Sequence, residues 1–372
     1  MPVYADPDDG TTVAVPALRS WTAAVVRALG TPDDVAADVA DVLVASDRRA
    51  IASHGTARLP NYAALVEAGV MDPAARPVIE RERPALARFD ARNGWGHHAS
   101  RVAVDWAVAR ARDVGAATAV VRNSNHYGIA GWYALRAAAA GMIGLSLSNT
   151  SPLVAPTRAL RPLIGTNPIA IAAPAGRHGT YCLDMATSTI PRGRIEVAAR
   201  RGETLPIGWA IGPDGRPATT AEAALAGALL PLGGLEATAG YKGYGLALGI
   251  DILAGVLPGA AFGPDIVGLF STEAPSDLGH AFWVVAPAAI DEPGAFEARL
   301  EGLLDRLVAA ETTPDAPGRV LVPGEPEAEA ERRADERGIV LDAGHHAGLV
   351  ALGERLGVPF AAARASDAGG AA

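Results

Sequence analysis

The stretch from Ser53 to Tyr62 combines four side chains that could do chemistry on a small acid. Ser53, His54, Arg58 and Tyr62 all fall within ten residues. If the stretch is helical, the spacing of four puts His54 and Arg58 on one face. Arginine binds a carboxylate through two parallel N–H bonds, and histidine carries a proton near neutral pH. The pattern suits a substrate with a carboxylate beside a reactive carbonyl. The alternative is a capped helix N-terminus with a solvated histidine and arginine.

Three further groups of polar residues follow apolar runs that predict strands. Sheets of α/β proteins place ligands where their strands end. The runs 117–121, 143–148 and 181–183 lead, respectively, to His126, to Thr150, and to Asp184 with Met185 and Ala186. These residues are therefore candidates for binding or catalysis.

Asp184 and His126 each have a functional and a structural interpretation. Asp184 could orient His54 and fix its tautomer, as carboxylates do for other histidines, or it could cap a strand end. His126 could lie at a helix N-terminus, which would favour its neutral form, or it could be a hydrogen-bonded loop histidine. A Ser-His-Asp hydrolase is disfavoured, because adjacent Ser53 and His54 are not expected to bring Oγ to the imidazole and no G-x-S-x-G elbow exists.

Composition limits the class of protein. Of 372 residues, 49% are hydrophobic and 20% charged, which favours a large buried core. The net charge is −9 without a dense Lys/Arg run, so neither nucleic acid nor an anionic membrane is an expected partner. The one cysteine, Cys182, fits a reducing compartment. We find no secretion signal and no uninterrupted apolar run of ~18 residues, and therefore expect a cytoplasmic protein.

Metal and phosphate motifs are missing from the sequence. The adjacent pairs His97-His98 and His345-His346 point in different directions on a helix, and H-E-x-x-H is absent, so we expect no metal. No G-x-G-x-x-G lies between a predicted strand and helix. The glycine-rich run 240–245 contains Lys242, but neither Ser nor Thr follows it.

Hydrophobic periodicity predicts alternating helices and strands. A helix is expected to continue from the Ser53 stretch to Gly69. The other predicted helices cover 16–29, 31–49, 99–114, 129–140, 246–257, 295–310, 327–337 and 347–356. The predicted strands cover 117–121, 143–148, 169–173, 181–183 and 281–286.

Six short motifs occur in an order that is typical of one known family. They are Ser53–Gly55 with Arg58 and Tyr62, Asn123–Gly128, Gly165–Pro168, Asp184–Ser188, Leu205-Pro206 with Gly208–Ala210, and Lys242–Gly245. Together they resemble the type-2 malate/L-lactate dehydrogenase family. That family also contains ureidoglycolate, sulfolactate and diketogulonate enzymes and cyclic-imine 2-carboxylate reductases. The likeness runs from about residue 13 to residue 358.

The resemblance implies a fold, a cofactor and an assembly. It implies an α/β protein that binds NAD or NADP on a mixed sheet distinct from the Rossmann fold, which is consistent with the missing glycine fingerprint. Residues 86–310 would form the cofactor domain, and residues 1–85 with 311–372 a discontinuous helical domain that serves the substrate. The family further implies a homodimer.

The resemblance also implies roles for the candidate residues. His54 would donate the proton, with Ser53 and Asp184 as relay partners, and some family members assign the catalytic role to the residue at His126. Arg58, Tyr62 and Thr150 would bind the substrate. The cofactor positions would be His126, Thr150, Asp184, Met185, Ala186, Lys242, Tyr244, Glu325, Pro326 and Glu327.

Three departures from the family pattern concern the outline of the substrate pocket. Thr157-Arg158-Ala159 stands where a glycine pair is usual, and Ala50 replaces the glycine of a common Arg-Gly pair. Residues 235–239 look inserted ahead of the Lys242 motif.

The expected activity is reversible hydride transfer between NAD(P) and a small 2-hydroxy or 2-oxo acid, with a carboxylate-bearing small molecule as the partner. The alternative is NAD(P)H-dependent reduction of a cyclic imine 2-carboxylate, in which nitrogen is protonated instead of oxygen.

Overall fold

The computed structural model describes residues 10–360, which form eleven helices and eleven strands of very different lengths. The helices are α1 (Val15–Ala28), α2 (Asp33–Arg48), α3 (Leu59–Glu67), α4 (Gly96–Val114), α5 (Ala130–Ala139), α6 (Arg192–Arg201), α7 (Ala221–Ala226), α8 (Gly240–Asp251), α9 (Ala295–Val308), α10 (Glu325–Arg337) and α11 (Ala343–Arg355). The strands are β1 (Thr11–Val13), β2 (Val78–Arg83), β3 (Leu86–Asp90), β4 (Ala116–Ser124), β5 (Ile143–Ser148), β6 (Ile169–Pro174), β7 (Thr180–Met185), β8 (Ala210–Ile211), β9 (Ala228–Leu229), β10 (Leu278–Val285) and β11 (Ile339–Leu341).

A seven-stranded mixed sheet forms the centre, in the order β2-β3-β4-β10-β5-β6-β7. Only β3 and β4 run parallel, whereas the other neighbouring pairs are antiparallel. A doubly wound dinucleotide fold would instead be mostly parallel. The predicted α/β class with a non-Rossmann mixed sheet is confirmed.

The core lies on both faces of this sheet. Val121 and Phe282 point into a cluster closed by α4 and α5, which also contains Ala134. Val120 and Ala281, one residue away on each strand, point to the opposite face. The period of two thus gives two buried faces, and the central strand β10 is apolar almost throughout for that reason.

A second core lies among helices from both ends of the described chain. Residues of α1, α2, α3 and α11 share one buried cluster, and β1 pairs antiparallel with β11. The predicted division into a cofactor domain, 86–310, and a flanking helical domain stays a prediction. The predicted boundary after residue 85 falls inside the β2–β3 hairpin, whose two strands pair with each other. The parts of that division in 1–9 and 361–372 lie outside the described residues.

The predicted helix across Ser53–Tyr62 is wrong in its first half. Two short 3₁₀ turns, Ala52–His54 and Thr56–Arg58, precede α3, and Gly55 between them is extended (φ −93°, ψ −151°). Pro60 occupies the first turn of α3, where its missing N–H costs nothing. His54 and Arg58 are therefore not neighbours on one helix face.

The glycine-rich run 240–245 lies inside α8 rather than before it. A Cβ at Gly243 would lie 2.1 Å from the Leu232 carbonyl oxygen, so only glycine allows this approach. The helix continues into a π-helical turn at Ile252–Val256. Within residues 10–360 we find no helix that combines the length and the apolar character needed to cross a membrane.

Candidate active site

His54 stands on the first 3₁₀ turn, beside the serine that precedes it. Ser53 Oγ lies 2.8 Å from His54 Nδ1, so the expectation that adjacent residues could not make this contact is wrong. His54 keeps part of its ring exposed, and Ser53 is exposed.

His126 faces His54 from the loop between β4 and α5. The centroids of the two imidazoles are 5.5 Å apart. The Tyr62 hydroxyl lies 2.6 Å from His126 Nδ1, and the Gly128 N–H also donates to that nitrogen at 3.4 Å. Tyr62 is buried in the helical core. The two histidines that were alternatives in the sequence therefore line the same site.

Phe270 joins the site without any signal in the sequence. Its ring centroid is 5.7 Å from that of His126 and 5.8 Å from that of Tyr62. The Arg58 guanidinium carbon lies 5.5 Å from the same ring, within the range of a cation–π contact. Phe270 belongs to a segment between α8 and β10 that has neither strand nor helix periodicity. Only the three-dimensional contacts identify it.

Arg58 is anchored through one of its nitrogens. Its Nε–H donates to the Ser53 carbonyl oxygen at 2.6 Å. The two Nη groups carry the other four N–H donors and have no hydrogen-bond partner among residues 10–360. An anchored guanidinium with unused donors in an open site can bind a carboxylate.

Both imidazoles of the site are neutral at pH 7. Burial, and secondarily the Arg58 charge, lowers the pKa of His54 to about 4. Burial is the main cause that lowers the pKa of His126 well below its ordinary value, whereas α5 begins only at Ala130. The expected neutral form of His126 thus comes from desolvation and not from a helix terminus. Burial also raises the pKa of Tyr62, which keeps its hydroxyl protonated.

The proton on His126 can be placed from its neighbours. A protonated phenol and a backbone N–H both donate to Nδ1, so Nδ1 must be the acceptor. The neutral ring then carries its hydrogen on Nε2. His126 is consequently a hydrogen-bond donor at its second nitrogen.

Asp184 is the second-last residue of β7, near the end of the strand that the apolar run predicts, and contacts the start of α5. Its Oδ2 accepts a hydrogen bond from the Gly131 N–H at 2.7 Å. Burial raises the Asp184 pKa to about 6, although the side chain still reaches solvent. His54 Nδ1 is occupied by Ser53, and the relay role of Asp184 therefore stays a prediction.

The predicted cofactor residues of β7 and α10 come from distant parts of the chain to one edge of the sheet. The Cys182 N–H donates to the Pro323 carbonyl oxygen at 3.0 Å, which joins β7 to the start of α10. The Glu327 charge contributes to the raised pKa of Asp184. The residues brought together in this way are Asp184, Met185, Ala186, Glu325, Pro326 and Glu327.

Thr150 and α8 are joined through Asn167. The Thr150 N–H donates to Asn167 Oδ1 at 3.0 Å, and Asn167 Nδ2 donates to the Ala247 carbonyl oxygen at 3.0 Å. Lys242 and Tyr244 lie on this helix, Lys242 exposed and Tyr244 packed against a separate apolar cluster. Their assignment to the cofactor remains a prediction.

Two positions at which the sequence departs from the family pattern have a backbone conformation that favours glycine. Ala50 (φ 58°) and Arg158 (φ 74°) are both left-handed, and both stand where the family usually has glycine. A non-glycine residue therefore occupies a left-handed backbone position at both sites. In the described part of the chain, no group of three or more His, Cys, Asp or Glu could hold a metal ion.

Residues 13–350 match the family model described as malate/L-lactate dehydrogenase. A malate dehydrogenase from Pyrococcus abyssi is 41% identical over 300 residues, covering 80% of this chain and 82% of that protein. A Δ¹-pyrroline-2-carboxylate reductase from Ancylobacter novellus is 34% identical over 304 residues, covering 82% and 86%. The solved malate dehydrogenase from Pyrococcus horikoshii OT3 superimposes with a TM-score of 0.88 at 34% identity, covering 96% of this chain and 99% of that one.

The mixed-sheet fold thus coincides with that of a solved malate dehydrogenase. The chain belongs to the malate/L-lactate dehydrogenase family.

Proposed function

We propose that the protein is an NAD(P)-dependent 2-hydroxy acid dehydrogenase, which transfers a hydride reversibly between the cofactor and C2 of a small 2-hydroxy or 2-oxo acid. The observation that carries the proposal is the pair of facing imidazoles, 5.5 Å apart, beside the unused donors of Arg58. Family membership supplies the class of reaction.

The substrate end of the site follows from three side chains. The Nη groups of Arg58 bind the C1 carboxylate, while Phe270 supports the guanidinium from one side. His54, neutral at pH 7, accepts the proton of the C2 hydroxyl in oxidation and returns it in reduction. Its Nδ1–H donates to Ser53 Oγ in this state, which leaves Nε2 to accept the proton.

His126 has a different task in this proposal. Because Tyr62 and Gly128 donate to its Nδ1, its Nε2–H is directed to bind a substrate oxygen as a fixed donor. A neutral donor of this kind stabilises charge that develops on the substrate without giving up its own proton. The division of labour assigns proton transfer to His54 and polarisation to His126.

The nicotinamide, when bound, accepts or supplies the hydride. Carboxylate and hydroxyl oxygens of the kind that bind ribose hydroxyls lie along the sheet edge at Thr150, Asp184 and the start of α10. We assign NAD or NADP to this edge, with Met185, Ala186, Lys242, Tyr244 and Glu325–Glu327 around it.

The test is an oxidation screen of malate, lactate, sulfolactate and ureidoglycolate with NAD and with NADP, followed by absorbance of the reduced nicotinamide. We expect at least one acid to be oxidised and the same activity to persist in EDTA. The proposal is overturned if no acid reacts with either cofactor while NADH or NADPH still raises the melting temperature.

The second candidate is reduction of a cyclic imine 2-carboxylate, favoured by the 34% identity to a pyrroline-2-carboxylate reductase. The same carboxylate clamp would serve, with the proton delivered to nitrogen. Rates on a five-membered and a six-membered imine acid, measured beside those on 2-oxo acids, separate the two activities.

A second copy of the chain is the proposed partner. The outer face of α8 and its π-helical continuation exposes apolar side chains at a spacing of four residues, namely Leu248, Ile252 and Val256, with Phe262 also exposed. Ile252 is 48% exposed. A contiguous exposed apolar face of this kind is typical of a protein–protein interface. We expect a homodimer by light scattering and a shift to monomer in Ile252→Asp. A cytoplasmic location suits the single, buried thiol of Cys182.

A further inference from the structure

A buried chain of three side chains connects the His54 loop to the C-terminal helix α11. Asp47, in the last turn of α2, accepts the Thr56 N–H at 2.9 Å and the Thr56 hydroxyl at 2.6 Å, both on Oδ2. Thr56 Oγ1 lies 2.9 Å from Nε2 of His345 on α11. All three residues are buried. The chain therefore links α2, the loop and α11 without access to solvent.

The hydrogen bonds of this chain can be given a direction. The Thr56 hydroxyl has one hydrogen, and Asp47 Oδ2, which also accepts the Thr56 N–H, takes it. Thr56 Oγ1 must then accept from His345, whose Nε2 carries its hydrogen. Within residues 10–360, Thr56 is the side chain that joins the carboxyl group of Asp47 to the imidazole of His345. Loss of its hydroxyl leaves the His345 Nε2–H without this acceptor, while Asp47 Oδ2 keeps the Thr56 N–H, and an unpaired buried polar group is costly.

The three hydrogen-bonded side chains, Asp47, Thr56 and His345, act on the backbone that carries His54. A Cβ at Gly55 would lie 1.9 Å from Asp47 Oδ1, so the carboxylate packs directly against the residue that follows His54. The residue on the other side of Gly55 is Thr56, whose N–H is one of the two donors. The carboxylate therefore fixes the extended residue between the two 3₁₀ turns.

We propose that Asp47, Thr56 and His345 are positioning residues that hold the Gly55–Thr56 backbone so that the His54 imidazole stays opposite His126. The inference rests on the proposed function, in which His54 moves the proton. Within residues 10–360, no side-chain hydrogen bond joins any of the three to His54 or Arg58. Their effect on the reaction is therefore indirect, through the loop.

Thr56→Val and Thr56→Ser test the hydroxyl at nearly constant shape. Valine keeps the volume and the backbone N–H but removes the hydroxyl, whereas serine keeps the hydroxyl. We expect Thr56→Val to lower kcat about tenfold with KM changed less than about twofold, which corresponds to one lost buried hydrogen bond. Amide hydrogen exchange of residues 52–59, measured without substrate, should become faster in Thr56→Val and stay near wild type in Thr56→Ser.

His345→Phe and His346→Phe form a matched pair on α11. Only His345 reaches Thr56, while His346 contacts the Phe360 ring at 5.5 Å. We expect the first to accelerate exchange in residues 52–59 and the second to leave that exchange and kcat unchanged. Wild-type exchange and kcat in Thr56→Val, or equal losses in Thr56→Ser and Thr56→Val, would overturn the positioning role. If the wild-type protein oxidises no acid, the proposed function fails while the exchange data still decide whether the chain holds the loop.

Discussion

His54 and His126 face each other, but the two regions that hold them are built differently. His54 stands on a 3₁₀ turn, keeps its ring partly exposed and takes its nearest polar contact from the residue beside it. His126 takes its polar contact from Tyr62, 64 residues away, and lies against Phe270 from a third part of the chain. The difference suits a proton acceptor near the solvent on one side and a partly buried, fixed donor on the other.

The largest effect is expected from removing either imidazole. General base catalysis contributes roughly 10²–10⁴-fold, so His54→Ala should lower kcat by that factor with cofactor still bound. His126→Ala should cost less, about 10²-fold, because only a fixed donor is lost. Turnover with 2-hydroxy acids measures the loss of kcat, and the rise in melting temperature with NADH or NADPH shows whether the cofactor still binds. A greater loss in His126→Ala would exchange the two roles.

A smaller effect is expected from Tyr62→Phe, which removes only the hydroxyl that fixes the His126 tautomer. The Gly128 N–H, 3.4 Å from Nδ1, is then the remaining donor. We expect kcat to fall about tenfold, the equivalent of one hydrogen bond in a buried site. The ¹⁵N chemical shifts of His126 should report a mixture of tautomers. An unchanged shift and rate would show that the hydroxyl does not fix the ring.

Acid should destabilise the region that holds His126, because His97 lies in that region. The ring centroids of His97 and His126 are 6.5 Å apart. His97 is fully buried, and neither ring nitrogen has a hydrogen-bond partner within residues 10–360. Burial lowers its pKa to about 3 from an ordinary 6.5. Between these values the unfolded chain binds a proton that the folded one does not, so this contribution is complete above pH 6.5 and is lost as pH falls.

We therefore expect His97→Phe to flatten the loss of stability between pH 6.5 and pH 4 by up to about 1.4 kcal/mol per pH unit. Urea unfolding at pH 7.5, 6 and 5 provides the measurement, with His346→Phe as the control. A parallel loss in wild type and His97→Phe would contradict the assignment.

The smallest effect concerns the backbone that leads into each histidine. Ala50 (φ 58°) precedes the His54 turn and Asn123 (φ 51°) precedes His126. Asparagine tolerates this conformation better than alanine does. Ala50→Gly should therefore stabilise the fold by about 0.5–1 kcal/mol, more than Asn123→Gly, after the entropy of the unfolded glycine is included. The melting temperatures of Ala50→Gly and Asn123→Gly measure this difference. Equal shifts would contradict the expectation that Ala50 is the more strained of the two residues.

The sequence predicts the parts of the fold that depend on local periodicity. The strands that end at Ser148 and Pro174 follow from short apolar runs, and α9 from an amphipathic pattern. The insertion of β10 between β4 and β5 depends on long-range pairing, which no local pattern encodes. The helix expected from His54 onward fails because Gly55 is extended, held against Asp47 from α2.

The sequence predicts only part of the candidate active site. His54, His126, Arg58 and Tyr62 were chosen for their chemistry, and their contacts form one cluster. Phe270 could not be chosen, since an aromatic residue in an irregular segment has no periodic context. The contact of Ser53 with His54 depends on the local backbone and on the side-chain rotamers of two adjacent residues, which no sequence pattern specifies.

The bond between Thr56 and His345 spans 289 residues of the chain. During synthesis the loop that carries His54 leaves the ribosome long before α11 does. A nascent chain can close the central sheet, whose last strand is β10, while the His54 loop still lacks its third anchor. If the proposed positioning role holds, full order in the active site is delayed until α11 has been translated, and a ribosome-bound chain that stops before α11 would fold its sheet without forming a competent enzyme.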